Sequence, residues 1–374
     1  MRWSIKLGRI FGIDIKMHLT FLLILVWGAF RYGDSAGPVY GVIVTLALFA
    51  LVLLHELGHS LAAMGYGIPV KDITLLPIGG VARLERMPEK PLHELVVALA
   101  GPAVNVALAA ILLPLVVTLA AAQSTPFSLA MLTRPGLTGL LAFLLMANVS
   151  LAVFNMIPAF PLDGGRVLRA ILGFFVGYQR STQMAVTIGR LLAVGLGILA
   201  LVYGQIFLAI IALFIFIVGG QEGQAVAIRS ILRKVRAGQA LARNSVALSS
   251  DATVGQIATM MMSNHQPNFP VLDPISGEFL GVATSSRISH AMQQGRWHSR
   301  VTEIMHHAKN IPTIALNAPL DEVQEKLAQT SSRVAAVYDG LHFRGLLSTD
   351  DIYRTFQFLS RGGVLPSRAG WEVA

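Results

Sequence analysis

Residues 51–59 read LVLLHELGH. His55 and His59 are four apart, so on a helix both imidazoles fall on one face, one turn from each other. That spacing lets both bind a single zinc ion, with Glu56 beside them as a general base toward water. The setting sharpens the reading. Residues 46–54 carry no charged or polar side chain and read as the end of a transmembrane helix. Ionisable groups inside a span are costly and mark function. A His/Glu pair that served packing alone would leave these groups in need of other partners. A second stretch, residues 154–166, reads FNMIPAFPLDGGR. Two prolines break the helix there, and two glycines follow an acid. Asp163 is the candidate third ligand, giving His, His and Asp with one open position, as in catalytic zinc sites. Its alternatives are a cap on the next helix or a pair with Arg166. Asn155 is a candidate hydrogen-bond donor to an oxyanion. The chain has no cysteine, so only His, Asp or Glu side chains can hold the metal.

These residues need a membrane-embedded scaffold, and the composition supplies one. Of 374 residues, 54% are hydrophobic and 13% charged, with a mean hydropathy of +0.63. Soluble domains are nearer about 25% charged. An integral membrane domain plus one further domain is expected. The net charge of +9 sits near span ends, a membrane-topology pattern rather than a nucleic-acid signature. No cleavable signal peptide is evident, and the first span is expected to serve as an anchor.

Six spans are predicted, over residues 17–30 (extended by 10–15), 39–64, 93–122, 137–157, 186–203 and 205–219. Arg2, Lys6, Arg9 and Lys16 against the single acid Asp14 place the N-terminus in the cytosol, and six spans return the C-terminus there. The stretch GPAVN at 101–105 suits close helix approach, with Asn105 bonding between helices. Residues 68–84 read as two short strands around Pro77 and Gly79-Gly80. They could receive an extended substrate by strand addition, or simply connect two spans.

From residue 245 the composition becomes that of a soluble domain with an internal repeat. Residues 253–290 and 319–355 each give a helix, a strand, a turn and a strand, and the two units should pack together. The expected divisions are a membrane domain at 1–222, a basic juxtamembrane linker at 223–244, a paired domain at 245–360 and a flexible tail at 361–374. Arg229, Arg233, Lys234, Arg236 and Arg243 in the linker suit anionic lipid headgroups. The fold class is therefore an all-α membrane bundle of six helices with a small membrane-associated β-hairpin, followed by a cytosolic α/β tandem domain.

HELGH, GPAVN and FNMIPAFPLDGGR, in this order, resemble the site-2 protease family of intramembrane zinc metalloproteases over about residues 5–220. The resemblance implies one Zn2+ held by His55, His59 and Asp163, Glu56 as the base, Asn155 stabilising the transition state, and Gly79 and Gly80 handling substrate. It also implies a single-span membrane-protein substrate, a prokaryotic plasma membrane location and cleavage in or near the bilayer. The tail resembles a pair of cystathionine-β-synthase (CBS) domains, which implies binding of ATP, ADP or AMP and homodimer formation. Ser348 and Asp351 match the ribose-binding pattern of that family. In the first repeat Thr284 is followed by Arg287 where the acid would stand. A structural, dimer-forming tail without a nucleotide remains an equal reading. The alternative for the whole chain is a metal-ion transporter or channel with a nucleotide-sensing tail.

Overall fold

The computed structural model describes residues 3–363 apart from 33–35, 78, 85–87, 89, 125–130, 133–134, 242–244, 264–265, 331 and 362. The chain divides into two compact units, Met1–Gln224 and Ala225–Ala374.

The first unit opens with strands β1 (Ser4–Ile10) and β2 (Ile13–His18) and a short helix α1 (Phe21–Arg31). The long helix α2 (Pro38–Gly65) leads to strands β3 (Val70–Leu76) and β4 (Gly79–Leu84). Helices α3 (Pro91–Ala122), α4 (Leu137–Asn155), α5 (Asp163–Val176), α6 (Tyr178–Val202) and α7 (Ile206–Leu232) follow. Helices α2, α3, α4, α6 and α7 are long and apolar enough to cross a bilayer. Proline in the first turn starts α2 and α3, where its fixed φ suits the helix and its missing N–H costs nothing. Outward side chains such as Ile111, Leu201 and Phe207 are exposed and apolar, as lipid contact requires.

The N-terminal region differs from the expected first span. Its proposed extension is strand, with Ile13 and Ile15 buried in alternation with half-buried Asp14 and Lys16. Helix α1 has 11 residues and is about 16 Å long, against about 30 Å of hydrocarbon. The expected hairpin over 68–84 is β3 paired antiparallel with β4, and it is half of a larger sheet of order β1-β2-β3-β4. Strands β2 and β3 run parallel. Asp72 ties three strands, accepting from Lys16 Nζ at 2.8 Å and Arg83 Nε at 2.8 Å. Burial pushes the Asp72 carboxyl up, but bonds and charge from Arg83 and Lys16 outweigh it and hold it below the usual range. The sheet packs Ile13, Ile15 and Ile73 on Leu57 and Leu53 of α2. That leaves the other side of α2, with its histidines, to face α3.

The second unit contains α8 (Ala237–Ala240), β5 (Leu248–Ser249), α9 (Val254–Ser263), β6 (Asn268–Leu272), β7 (Phe279–Thr284), α10 (Ser285–Gln293) and β8 (His306–His307). Its second half has β9 (Thr313–Ala315), α11 (Leu320–Thr330), β10 (Val334–Asp339), β11 (His342–Ser348) and α12 (Thr349–Ser360). The sheets have orders β5-β6-β7-β8 and β11-β10-β9. The repeat extends to its irregularities. Val271 pairs with Gly281 and Leu272 with Phe279, just as Val337 pairs with Gly345 and Tyr338 with Phe343, with the register shift between the same steps. The two halves share a core of Phe279, Val282, Val334, Ala336 and Leu346, and Phe279 stacks on Phe343 with ring centres 4.5 Å apart.

The stretch expected to be a linker is structured. Helix α7 continues to Leu232, and Leu232, Val235 and Ala237 are buried with Leu320, Val337 and Leu347. Its basic residues therefore alternate with apolar anchors, which a charge count alone conceals. Of that stretch, 242–244 lie outside the described residues, as does the expected tail except for Arg361 and Gly363.

Candidate active site

Three separated segments meet at one point. His55 and His59 project from α2, and Asp163 is the first residue of α5. The His55 and His59 Nε2 atoms are 3.0 Å apart. Asp163 Oδ2 lies 3.2 Å from the first and 3.1 Å from the second. All three side chains are buried. Ligand atoms placed 2.0–2.1 Å from a tetrahedral zinc stand roughly 3.3 Å apart, so this triangle fits one ion.

The outer faces of the rings fix which nitrogens are free. His59 Nδ1 is 2.7 Å from the Val97 carbonyl oxygen, and His55 Nδ1 is 2.6 Å from Asn105 Oδ1. A carbonyl only accepts, so each ring donates from Nδ1, and the neutral ring then presents a lone pair at Nε2. In that neutral form two lone pairs and a carboxylate oxygen converge on one point. That donor set fits a divalent cation.

Helix α3 is shaped for this. Val97, Gly101 and Asn105 recur every four residues and form one stripe. A side chain at Gly101 would run into the His59 ring. In the sequence GPAVN reads as a packing motif, which conceals this stripe. The signal was present: a G-x-x-x-N at helical spacing complements H-x-x-x-H on an antiparallel neighbour.

Asp163 is held by a folded-back loop. A Cβ on Gly165 would come 2.6 Å from the Phe160 backbone nitrogen, so only glycine lets α5 start this close to the preceding turn. A first-turn carboxylate also suits the helix N-terminus. The N-cap itself is Leu162 and no side-chain cap bond is made, so Asp163 approaches the histidines without acting as a cap. One and a half turns on, buried Arg169 donates to Glu94 of α3 at 2.6 Å and to Glu222 of α7 at 3.0 Å. Its guanidinium also covers the rings of Phe160 and Tyr178, each at 4.9 Å. This junction, unforeseen from sequence, locks α5 to two neighbouring helices.

Glu56 is half-buried beside the triangle. Strand β4 lies against it: a Cβ on Gly80 would come 2.7 Å from Glu56 Cγ. Gly79 takes a φ of 137° at the start of this edge strand. Asn155 ends α4, and its amide donates to the Leu151 carbonyl at 3.0 Å. It is not among the three side chains that converge.

In the second unit Ser348 caps α12. Its hydroxyl bonds Asp351 Oδ2 at 2.5 Å, and Asp351 Oδ2 accepts from Ser348 N at 2.9 Å. Thr284 caps α10 in the same way, but Arg287 donates to the Ile304 carbonyl at 3.0 Å. The first repeat thus spends its guanidinium on its own backbone.

The model for peptidase family M50 matches residues 43–196, and the CBS domain model matches 301–357. A zinc metalloprotease of Methanocaldococcus jannaschii is 32% identical over 359 residues, covering 96% of this chain and 98% of its own. A Synechocystis sp. relative, sll0528, is 30% identical over 378 residues, with 96% of each chain covered. A solved site-2 protease from Methanocaldococcus jannaschii is 38% identical, covering 59% of this chain and 95% of that one, with a TM-score of 0.43. The chain belongs to peptidase family M50, the site-2 protease family of zinc metalloproteases, and carries a CBS domain. It is a multi-pass membrane peptidase, and the transporter alternative is not favoured.

Proposed function

We propose that His55, His59 and Asp163 hold one Zn2+ per chain and that Glu56 is the general base for hydrolysis of a peptide bond in or near a substrate's transmembrane segment. The observation that carries this reading is the buried triangle of two Nε2 atoms and one carboxylate oxygen. A bound zinc ion supplies Lewis acidity at the scissile carbonyl and lowers the pKa of water to about 7. Glu56 accepts the water's proton and delivers it to the leaving amine. Asn155 turns its amide from Leu151 toward the oxyanion.

The substrate must leave its helix before cleavage, since helical amides are shielded by their own hydrogen bonds. The free edge of β4, at Gly79 and Gly80, offers an extended partner beside Glu56. The substrate class is a single-span membrane protein with small or helix-breaking residues near the cut.

The short helix α1 counts as the first of six crossings, with the bilayer thinned around it, which puts both chain ends in the cytosol of a prokaryotic plasma membrane. Residues 1–222 form the catalytic part and 245–360 a regulatory CBS pair that forms a homodimer. Ser348 and Asp351 bind the ribose of ATP, ADP or AMP, with the second repeat the better site.

Mapping peptide termini of membrane proteins in cells carrying the wild-type chain or Glu56→Gln tests this. New termini near one end of a single-span protein are expected only with Glu56. Identical fragment sets across induced and stressed cells would refute the protease assignment for this chain.

A further inference from the structure

Asn148 lies fully buried in α4, as does Asn105 in α3. Two carboxamides in an apolar bundle are costly unless every donor and acceptor is used with purpose. Asn148 Nδ2 donates to the Leu144 carbonyl at 2.8 Å. That oxygen can only accept, so the Asn148 amide has one orientation and must turn Oδ1 outward. Asn105 Nδ2 donates to this Oδ1 at 2.9 Å. Asn105 is thereby oriented too, and its Oδ1 faces His55 Nδ1 at 2.6 Å. The chain of bonds has a single direction, set at its far end by a backbone carbonyl.

We propose that Asn148 is a positioning residue for the metal centre: by orienting the Asn105 amide it holds His55 in the tautomer with a bare Nε2. This rests on the ligand assignment above and goes beyond it. Without Asn148 the Asn105 amide loses its anchor and can rotate, presenting NH2 to His55. The ring then carries its proton on Nε2, where it blocks metal binding. His59 needs no such relay, because its Nδ1 faces the Val97 carbonyl directly.

The test measures zinc affinity of the purified full chain in lipid nanodiscs by chelator competition. Asn148→Leu keeps the side-chain volume and removes the amide. It should weaken zinc binding about 10- to 100-fold, the usual effect of losing an outer hydrogen bond to a ligand. Asn105→Asp supplies a carboxylate that accepts from His55 through either oxygen. In that background residue 105 has no proton for Asn148 Oδ1, the relay is already broken, and Asn148→Leu should not weaken zinc binding further. A merely structural Asn148 would cost the same in both backgrounds, and that result overturns the proposal. So does wild-type affinity in Asn148→Leu alone. If zinc content survives joint substitution of His55, His59 and Asp163, the ligand assignment fails and this inference with it. Loss of zinc in that triple variant with no effect of Asn148→Leu sinks this inference alone.

Discussion

A side chain at Gly101 on α3 would enter the volume of the His59 imidazole. The missing side chain at that position lets His59 sit against α3 and reach the Val97 carbonyl, one turn away. Gly101→Ala should therefore displace the ring. The expected result is a fall in peptidase activity of at least about 100-fold with lowered zinc content, read by metal analysis of the purified protein. Ala98→Gly, on the same helix, should leave zinc content unchanged.

Gly80 has the corresponding relation to Glu56, but on the side of the base. Gly80→Val pushes on Glu56 Cγ and crowds the β4 edge. Zinc content should stay at the wild-type level while cleavage falls by about 100-fold or more. A loss of zinc in this variant would show that β4 supports the ligands rather than the base.

The Arg169 junction has partners of unequal burial. Glu94 is 4% exposed and Glu222 36% exposed. Glu94→Gln leaves a buried guanidinium short of its counter-charge and should cost about 3–5 kcal/mol. Glu222→Gln should cost less than about 1 kcal/mol, because water screens that pair. Thermal unfolding in detergent distinguishes them: a large drop for Glu94→Gln and a small one for Glu222→Gln.

Much of this site was legible from residue order, and the misses have physical causes. HELGH announced itself because three ionisable groups in an apolar helix demand a use. Asp163 stood out on a proline-broken backbone. The repeat in the tail was visible because helix and strand periods alternate twice in the same order. The extension of the first span was misplaced because Ile13 and Ile15 read as apolar length, while their alternation with Asp14 and Lys16 is the strand signal. Arg169 was passed over because a sequence does not show which helix brings the matching acid. Asn148 left no sequence signal beyond being polar in a span, since its meaning depends on Asn105 across the helix interface.

Asp72 gives the sheet a pH dependence with a definite sign. Its carboxyl is held below the ordinary range by Arg83 and Lys16 against the effect of burial. Its stabilising contribution is therefore complete above the unfolded value of about 3.9 and is lost as pH falls through the lower folded value. The sheet should hold from neutral pH to about pH 4 and weaken below it. Asp72→Asn should remove that acid-dependent loss, measured as Tm against pH.

Ser348 and Asp351 form a reciprocal cap on α12. Asp351→Ala should lower the stability of the tail by about 1 kcal/mol through the lost cap. It should also abolish binding of adenine nucleotide, read by isothermal titration on the full chain. Arg287→Asp, which restores the acid missing from the first repeat, tests whether a second site can be made.

The most direct measurement pairs zinc content with cleavage in Glu56→Gln, using the full chain reconstituted with a single-span substrate. One zinc per chain is expected, as in the wild type, with cleavage reduced at least about 1000-fold, the effect of removing a general base from a preorganised site. Wild-type cleavage by Glu56→Gln would contradict that role.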